Sequence, residues 1–167
     1  VVVMATDEPL VYGQAALDNM GSYATGTTRY TVNAMLNGAM GLGDQGSAYT
    51  LHTQGTDFLR MAYSLPVGYQ GARLGANSSY LKYRIVNGAP GDGTSTTVGL
   101  ESTYPLVRSR PKNLNLVANL DHKAFDNRGP TGETTTRYSS LVFSAGLNWA
   151  ASDSDGSSTA TVTVMPN

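Results

Sequence analysis

The segment that decides the fold runs Asn113-Leu114-Asn115-Leu116-Val117-Ala118-Asn119-Leu120-Asp121-His122-Lys123-Ala124. Apolar side chains alternate in it with polar ones. The apolar set is Leu114, Leu116, Ala118 and Leu120, and the polar set is Asn113, Asn115, Asn119, Asp121 and Lys123. Because successive side chains of a strand point to opposite faces, this alternation predicts a β-strand with one apolar face and one polar face.

The same period of two residues recurs along nearly the whole chain, and clusters of Gly, Asn, Asp and Pro interrupt it at hairpin spacing. Helical periodicity is nowhere sustained. The pattern predicts about nine strands, at residues 12–19, 27–37, 47–54, 58–67, 72–86, 97–106, 113–124, 140–149 and 159–165. In residues 72–86 the alternation slips near residues 80–82, where we expect a β-bulge.

The lengths of these segments favour strands that cross a membrane. Most are close to the roughly 9 to 11 residues that a tilted strand needs to span a bilayer. A short turn at residues 67–71 alternates with longer polar loops at residues 87–96 and 127–136, which is typical of barrels with tight periplasmic turns and longer external loops. Tyrosines near the strand ends suit the boundary between lipid and water, namely Tyr12, Tyr30, Tyr63, Tyr83, Tyr104 and Tyr138.

Composition excludes several other classes of protein. The net charge is -1 and only 14% of the residues are charged, so we expect no nucleic-acid partner. Cysteine is absent, which excludes disulfides and thiolate metal sites. No run of apolar residues reaches the roughly 18 to 20 that a membrane-spanning helix requires. The sequence therefore predicts an all-β protein, an antiparallel transmembrane β-barrel.

The polar faces supply the candidate functional residues. A face that is polar along many long strands needs water beside it, as in a channel lumen. We therefore expect a set of polar residues to face the lumen: Arg29, Asn33, Arg60, Glu101, Asn119, Asp121 and Lys123. Ordinary solvation in a wet lumen is the simpler interpretation of each.

Other motifs indicate no bond chemistry. His52 and His122 lack the spacing of a zinc site, and no nucleophile elbow accompanies them. The glycines of residues 41–46 predict a turn rather than a phosphate loop, and residues 153–156 resemble only the start of a calcium loop. We expect no enzyme activity, no cofactor and no metal.

Ordered motifs along the chain resemble a known family, the two-partner secretion transporters of the Omp85 superfamily. The motifs are Leu17-Asp18-Asn19-Met20-Gly21-Ser22, Leu36-Asn37-Gly38 leading into Gly41-Leu42-Gly43-Asp44-Gln45, Tyr63-Ser64-Leu65-Pro66-Val67-Gly68, Gly71-Ala72-Arg73-Leu74-Gly75-Ala76, Tyr80-Leu81-Lys82-Tyr83, and Tyr104-Pro105-Leu106-Val107-Arg108-Ser109-Arg110. The Asn113-Leu114 pair running into Leu120-Asp121-His122-Lys123 completes the set.

The resemblance implies a location, a domain plan and a partner. It implies the bacterial outer membrane, with residues 1–8 as the end of a POTRA domain or a linker and residues 9–167 as the first half of a sixteen-stranded barrel. The implied partner is an unfolded haemolysin- or haemagglutinin-like exoprotein, and lipid surrounds the barrel. Half a barrel exposes unpaired strand edges, so we expect either the remaining half of the barrel or a second copy to close them.

Two alternatives stay open at this stage. A small self-contained outer-membrane barrel, acting as a pore or a structural element, predicts an even number of strands and pairing of the first strand with the last. A soluble all-β binding module predicts burial of Leu114, Leu116, Phe143 and Trp149 in a protein core.

Overall fold

The structure is a computed structural model, and it describes residues 9–109, 111–129, 134–152 and 157–164. Within these ranges it contains a single nine-stranded sheet, in which each strand pairs antiparallel with its neighbour in sequence. The strands are β1 (Val11–Asp18), β2 (Arg29–Asn37), β3 (Gln45–Thr53), β4 (Thr56–Val67), β5 (Ala72–Arg84), β6 (Asp92–Arg108), β7 (Lys112–Arg128), β8 (Thr134–Ser152) and β9 (Ser157–Val164).

The nine strands confirm the alternation-based prediction, but the predicted bulge at residues 80–82 is wrong. β5 pairs with β4 and β6 without a break through Tyr80, Leu81 and Lys82. The register shifts lie instead between Pro105 and Val107, where β6 meets β7, and next to Arg128, where β7 meets β8. Proline cannot donate a ladder hydrogen bond, so Pro105 is a natural place for an irregularity.

The predicted long loops are also too long. β6 begins at Asp92, β7 continues to Arg128 and β8 begins at Thr134, so the loops 87–96 and 127–136 lose residues to strands. β6 and β7 have 17 residues each and β8 has 19. Strand pairing uses backbone groups, so stretches rich in Gly, Ser and Thr can also join a ladder once a neighbouring strand is present.

Connections alternate between the two ends of the sheet. One end, here called the loop end, carries the described connections 19–28, 54–55 and 85–91. The opposite end, the turn end, carries the described connections 38–44 and 68–71. Short connections between antiparallel neighbours keep every pairing local in sequence.

No apolar side chain is fully buried in the part of the chain that the structure describes. Leu116, Phe143 and Trp149, which the soluble-module alternative places in a core, are 40%, 48% and 37% exposed. That alternative therefore lacks its core. In the same residues the sheet has nine strands, an odd number, and β1 and β9 each pair with one neighbour and not with each other. A self-contained barrel requires an even number of strands and pairing of the first strand with the last, and the described residues show neither. The described residues also include no helix that is long and apolar enough to cross a membrane.

Candidate lumen wall and the two faces of the sheet

Strand register assembles the predicted apolar residues on one face of the sheet, here called the apolar face. One row of directly paired residues runs through Leu36, Gly46, Tyr63, Ala76 and Leu100. That row continues through Leu120 to Phe143. The apolar sides of all the strands between β2 and β8 therefore form a continuous surface.

The apolar face is also the more exposed face. Along β5, exposure alternates residue by residue: Leu74, Ala76 and Tyr80 are exposed, whereas Asn77 and Ser79 on the other face are half-buried. In a curved sheet the convex side leaves more room around each side chain. This pattern is that of a barrel wall with its apolar side outward.

The apolar surface does not follow the rows of paired residues but slants across them. Leu17 and Tyr30 pair at the loop end, yet their row continues through His52, Asp57 and Lys82. The row is therefore apolar on β1 and β2 and polar from β3 onward. Apolar side chains on the later strands lie nearer the turn end.

The later strands β7 and β8 show the opposite distribution, with charged residues toward the loop end and apolar residues toward the turn end. Asp126 lies in the same row as Lys82 and forms an ion pair with Arg137 (3.0 Å). At the turn end, Leu114 pairs with Trp149. The apolar residues of this face thus form a band, here called the apolar belt, that runs from Leu17 and Tyr30 on β1 and β2 to Leu114 and Trp149 on β7 and β8. A belt that is level in a bilayer must cross the rows obliquely when the strands are tilted by the roughly 35–45° of a barrel. The slant is therefore the signature of tilted strands.

Three of the six tyrosines predicted at the lipid boundary lie on the other face, so that prediction is wrong for them. Tyr12 donates a hydrogen bond to Met35 Sδ (2.9 Å), and Tyr83 donates to Asn127 Oδ1 (3.2 Å). Tyr138 stacks on Phe125 with ring centroids 4.7 Å apart. Proximity to a strand end does not define a face, because a shift of one residue moves a side chain to the opposite side.

The seven candidate residues all lie on the face opposite the apolar one, here called the polar face. Asn33, Arg60 and Lys123 share one row of paired residues, which runs across Tyr49, Ser79 and Thr97. Glu101 pairs directly with Asn119 in a row nearer the turn end. Asp121 lies in the row between these two, and Arg29 lies at the loop end.

Their interactions differ. The Arg29 guanidinium donates from Nε to Asp18 Oδ1 and from Nη2 to Asp18 Oδ2, both at 3.0 Å, so this pair is already matched. Asn119 Nδ2 donates to Ser144 Oγ (3.3 Å). Among the described residues, Arg60 and Lys123 form no ion pair within 4.0 Å. These two cations keep their charge available to whatever lies against the polar face.

Sequence reasoning missed an apolar row on the polar face. Leu51, Phe58 and Leu81 pair in succession on β3, β4 and β5, one row nearer the loop end than Arg60. The row continues through Ser95 to the stacked pair Phe125 and Tyr138. Its trace in the sequence was the slip at residues 80–82, which reflects an apolar side chain on the polar face rather than an extra residue.

The turn at residues 38–44 is built around a buried carboxylate. Gly38, Gly41 and Gly43 have φ between 66° and 75°, the left-handed region that glycine adopts without strain. Asp44 is 1% exposed and accepts hydrogen bonds from the Tyr63 hydroxyl and from Met40 N (3.1 Å). The hydrogen bond donated by Tyr63, supported by that of Met40 N, holds the pKa of Asp44 below its ordinary value.

The loop at residues 19–28 folds over the loop end. The Thr25 carbonyl accepts from Gly55 N and from Thr53 Oγ1, both at 2.7 Å, and the Ala24 carbonyl accepts from Val86 N (2.8 Å). One loop is therefore bonded to the next two loop-end connections. A Cβ at Gly55 would lie 2.2 Å from the Arg84 carbonyl oxygen, so this junction requires glycine.

An antiparallel sheet of tilted strands with one apolar face, one polar face and no enclosed core is the wall of a transmembrane β-barrel. The sequence profile of the haemolysin secretion/activation proteins ShlB/FhaC/HecB matches residues 1–164, and the chain belongs to this family. It is thus related to the two-partner secretion transporters of the Omp85 superfamily, which are proteins of the Gram-negative outer membrane, and the family expectation from the motifs is confirmed.

Solved structures agree on the fold. CdiB from Escherichia coli is 22% identical, with a TM-score of 0.81 over 96% of this chain and 32% of that one. CdiB from Acinetobacter baumannii is 17% identical, with a TM-score of 0.66 over 95% of this chain and 32% of that one. BamA from Haemophilus ducreyi lacking POTRA domains 1–3 is 12% identical, with a TM-score of 0.54 over 93% of this chain and 33% of that one. The chain thus spans about a third of each, and the all-β partial-barrel fold is confirmed. No curated protein matches the chain.

Proposed function

We propose that this chain is the part of an outer-membrane transporter that forms one side of a conduit for an unfolded, exported partner protein. In this proposal the apolar face contacts outer-membrane lipid, and the polar face lines the lumen. The observation that carries it is the two-faced sheet with a slanted apolar belt, in a chain that belongs to a secretion family. The partner would be a haemolysin- or haemagglutinin-like exoprotein.

The domain plan is part of the same proposal. Residues 9–167 would form the first half of a sixteen-stranded barrel, and residues 1–8, which lie outside the described residues, would end a POTRA domain or linker. The free edges of β1 and β9 carry unpaired N–H and C=O groups that lipid cannot satisfy. The later strands of a full-length barrel would satisfy them. This chain covers only 32% of each CdiB chain, which supports closure by further strands of the same polypeptide over closure by a second copy.

The chemistry of the polar face suits an unfolded polypeptide of varied sequence. The unpaired cations Arg60 and Lys123 lie beside the row of Asp121, and the apolar row of Leu51 and Phe58 follows toward the loop end. A passing chain would meet positive, negative and apolar contacts within a few rows, each weak and none specific to a side chain. Such transport needs no cofactor and no bond chemistry.

Cysteine accessibility tests the assignment of the faces. In the full-length protein in intact outer membranes, Arg60→Cys and Asn119→Cys should react with a membrane-impermeant thiol reagent, and Leu147→Cys on the apolar face should not. This chain has no cysteine of its own to compete. Reaction at Leu147→Cys with protection at both polar sites would overturn the proposed faces.

Secretion tests the transport role. Cells that make the full-length protein should release or display its partner exoprotein, and a partner cysteine arrested in transit should form a disulfide with Arg60→Cys or Lys123→Cys. The matched control is Leu116→Cys, which lies on the apolar face of the same strand as Lys123. Export without any disulfide to the polar face would contradict a route along this wall.

A further inference from the structure

The turn at residues 38–44 exposes two large apolar side chains although its backbone is held firmly. Met40 and Leu42 are each 64% exposed. The Gly38 amide donates to the Asp44 carbonyl (2.7 Å), and Gly41 N donates to the Gly38 carbonyl (2.9 Å). A turn with this internal bonding presents its apolar tip in a defined position.

The same turn is bonded to both faces of the wall. Tyr63, which lies on the apolar face of β4, donates to the buried Asp44 carboxylate. Arg73, which lies on the polar face of β5, donates from Nη1 to the Gly43 carbonyl (3.1 Å). Asp44 is the turn's one charged residue and is buried, so the exposed tip carries no charge.

A groove on the apolar face lies over β2 to β5 and reaches the ends of β2 and β3 that this turn joins. Its volume is about 520 Å³, and its lining includes Leu36, Gly46, Ala48, Met61, Tyr63 and Ala76. The groove exists because small side chains occupy its floor. A Cβ at Gly46 would lie 3.2 Å from the Tyr63 ring, so glycine lets the ring lie across β3 toward the turn.

We propose that the turn 38–44 and this groove together seat a phospholipid. An acyl chain lies along the small residues of the groove, and Met40 and Leu42 enter the boundary between acyl chains and head groups. The inference rests on the proposed placement of the apolar face in lipid, because the groove is part of that face and the turn is bonded to it through Tyr63. In the orientation of family barrels with short periplasmic turns, the lipid belongs to the periplasmic leaflet.

Lipid is favoured over a protein partner by continuity and by charge. The last row of the apolar face before the turn, formed by Leu36, Gly46 and Tyr63, carries no charged residue. The exposed tip carries no charged side chain that could form an ion pair with a protein surface. Apolar side chains at this depth gain by burial in the interface, as in other membrane-surface anchors.

The first test places a fluorescent thiol label at Leu42→Cys in the full-length protein, reconstituted in phosphatidylethanolamine/phosphatidylglycerol vesicles that contain a lipid nitroxide. We expect quenching at Leu42→Cys and at Leu147→Cys, which marks the apolar belt, and none at Tyr23→Cys in the loop 19–28. Quenching at Leu147→Cys alone would overturn the lipid seat and leave the proposed faces intact. Absence of quenching at both would overturn the two together.

A second test fills the groove. Ala48→Phe should cause a loss of the phospholipid that the detergent-extracted full-length protein retains, measured by native mass spectrometry. Ala145→Phe adds the same ring to the apolar face outside the groove and should retain the lipid. Equal retention by the two variants, with both folded, would contradict the groove as a lipid site.

Discussion

The two faces of this sheet follow different rules, although they share every strand. On the apolar face, position relative to a slanted belt decides the residue: Leu17 lies inside the belt, and Lys82, in the same row, lies outside it. On the polar face, rows differ in chemistry, and the apolar row of Leu51 and Phe58 lies beside the row of Arg60. A surface in contact with a bilayer needs only apolar side chains at a given depth, whereas the residue types of a lumen wall can differ from row to row.

The largest effect should come from placing a charge inside the belt. Leu116→Arg should cost roughly 2 to 4 kcal/mol of unfolding free energy, the cost of a guanidinium at the bilayer midplane, because Leu116 lies on the apolar face between the rows of Leu114 and Leu120. Asn115→Arg, one residue away on the polar face, is the matched control and should change little. Urea unfolding of the full-length protein in vesicles measures both. Equal losses would break the distinction between the faces.

A smaller loss of stability is expected from breaking the hydrogen bond between Tyr63 and Asp44, which joins the turn 38–44 to the apolar face. The pKa of Asp44 is lowered mainly by the Tyr63 hydrogen bond, so the stabilisation from its carboxylate is present above the ordinary Asp pKa. That stabilisation is lost as the pH falls through the lowered pKa of the folded state. Tyr63→Phe should therefore move the acid transition of the turn to higher pH, and Asp44→Asn should abolish it.

Fluorescence of a label at Leu42→Cys, followed during acid titration of the full-length protein, reports this transition. A label at Tyr69→Cys on the neighbouring turn, which is fully exposed, controls for general acid unfolding. An unchanged midpoint in Tyr63→Phe would show that this hydrogen bond does not control the titration of Asp44.

The aromatic pair on the polar face should contribute still less to the free energy of unfolding. Phe125 and Tyr138 stack at 4.7 Å, and a double-mutant cycle with alanine should give a coupling free energy of about 0.5 to 1.5 kcal/mol. Tyr49 and Phe58, tilted at 6.0 Å, provide the comparison on the same face and should couple more weakly. A cycle without coupling at the stacked pair would indicate that the rings contact water or another segment instead.

The smallest effect tests the edge of the belt. Lys82 lies on the apolar face but beyond the belt, so Lys82→Leu should change the unfolding free energy by no more than about 0.5 kcal/mol. Leu100→Lys, inside the belt on the next strand, should destabilise clearly. Urea unfolding compares them. A clear gain from Lys82→Leu would extend the belt toward the loop end and flatten its slant.

Several features of the site could be predicted from sequence because they depend on neighbours along the chain. Alternation placed Arg60, Glu101 and Lys123 opposite the leucines of their own strands, and the structure has them on one face. The unpredicted features join distant residues. The Asp44–Tyr63 hydrogen bond and the contact of Thr25 with Gly55 each span many residues. No local pattern reports such a contact.

The sequence by itself determined the number of strands, the side to which most residues point and the family. Period-two alternation is a property of each strand alone, because the pleat sends neighbouring side chains to opposite faces. Tertiary structure decided which residues share a row, where the register shifts and how the belt slants. Those depend on how each strand is aligned with the next and on strand tilt, and a shift of one residue would leave the alternation unchanged while exchanging every partner.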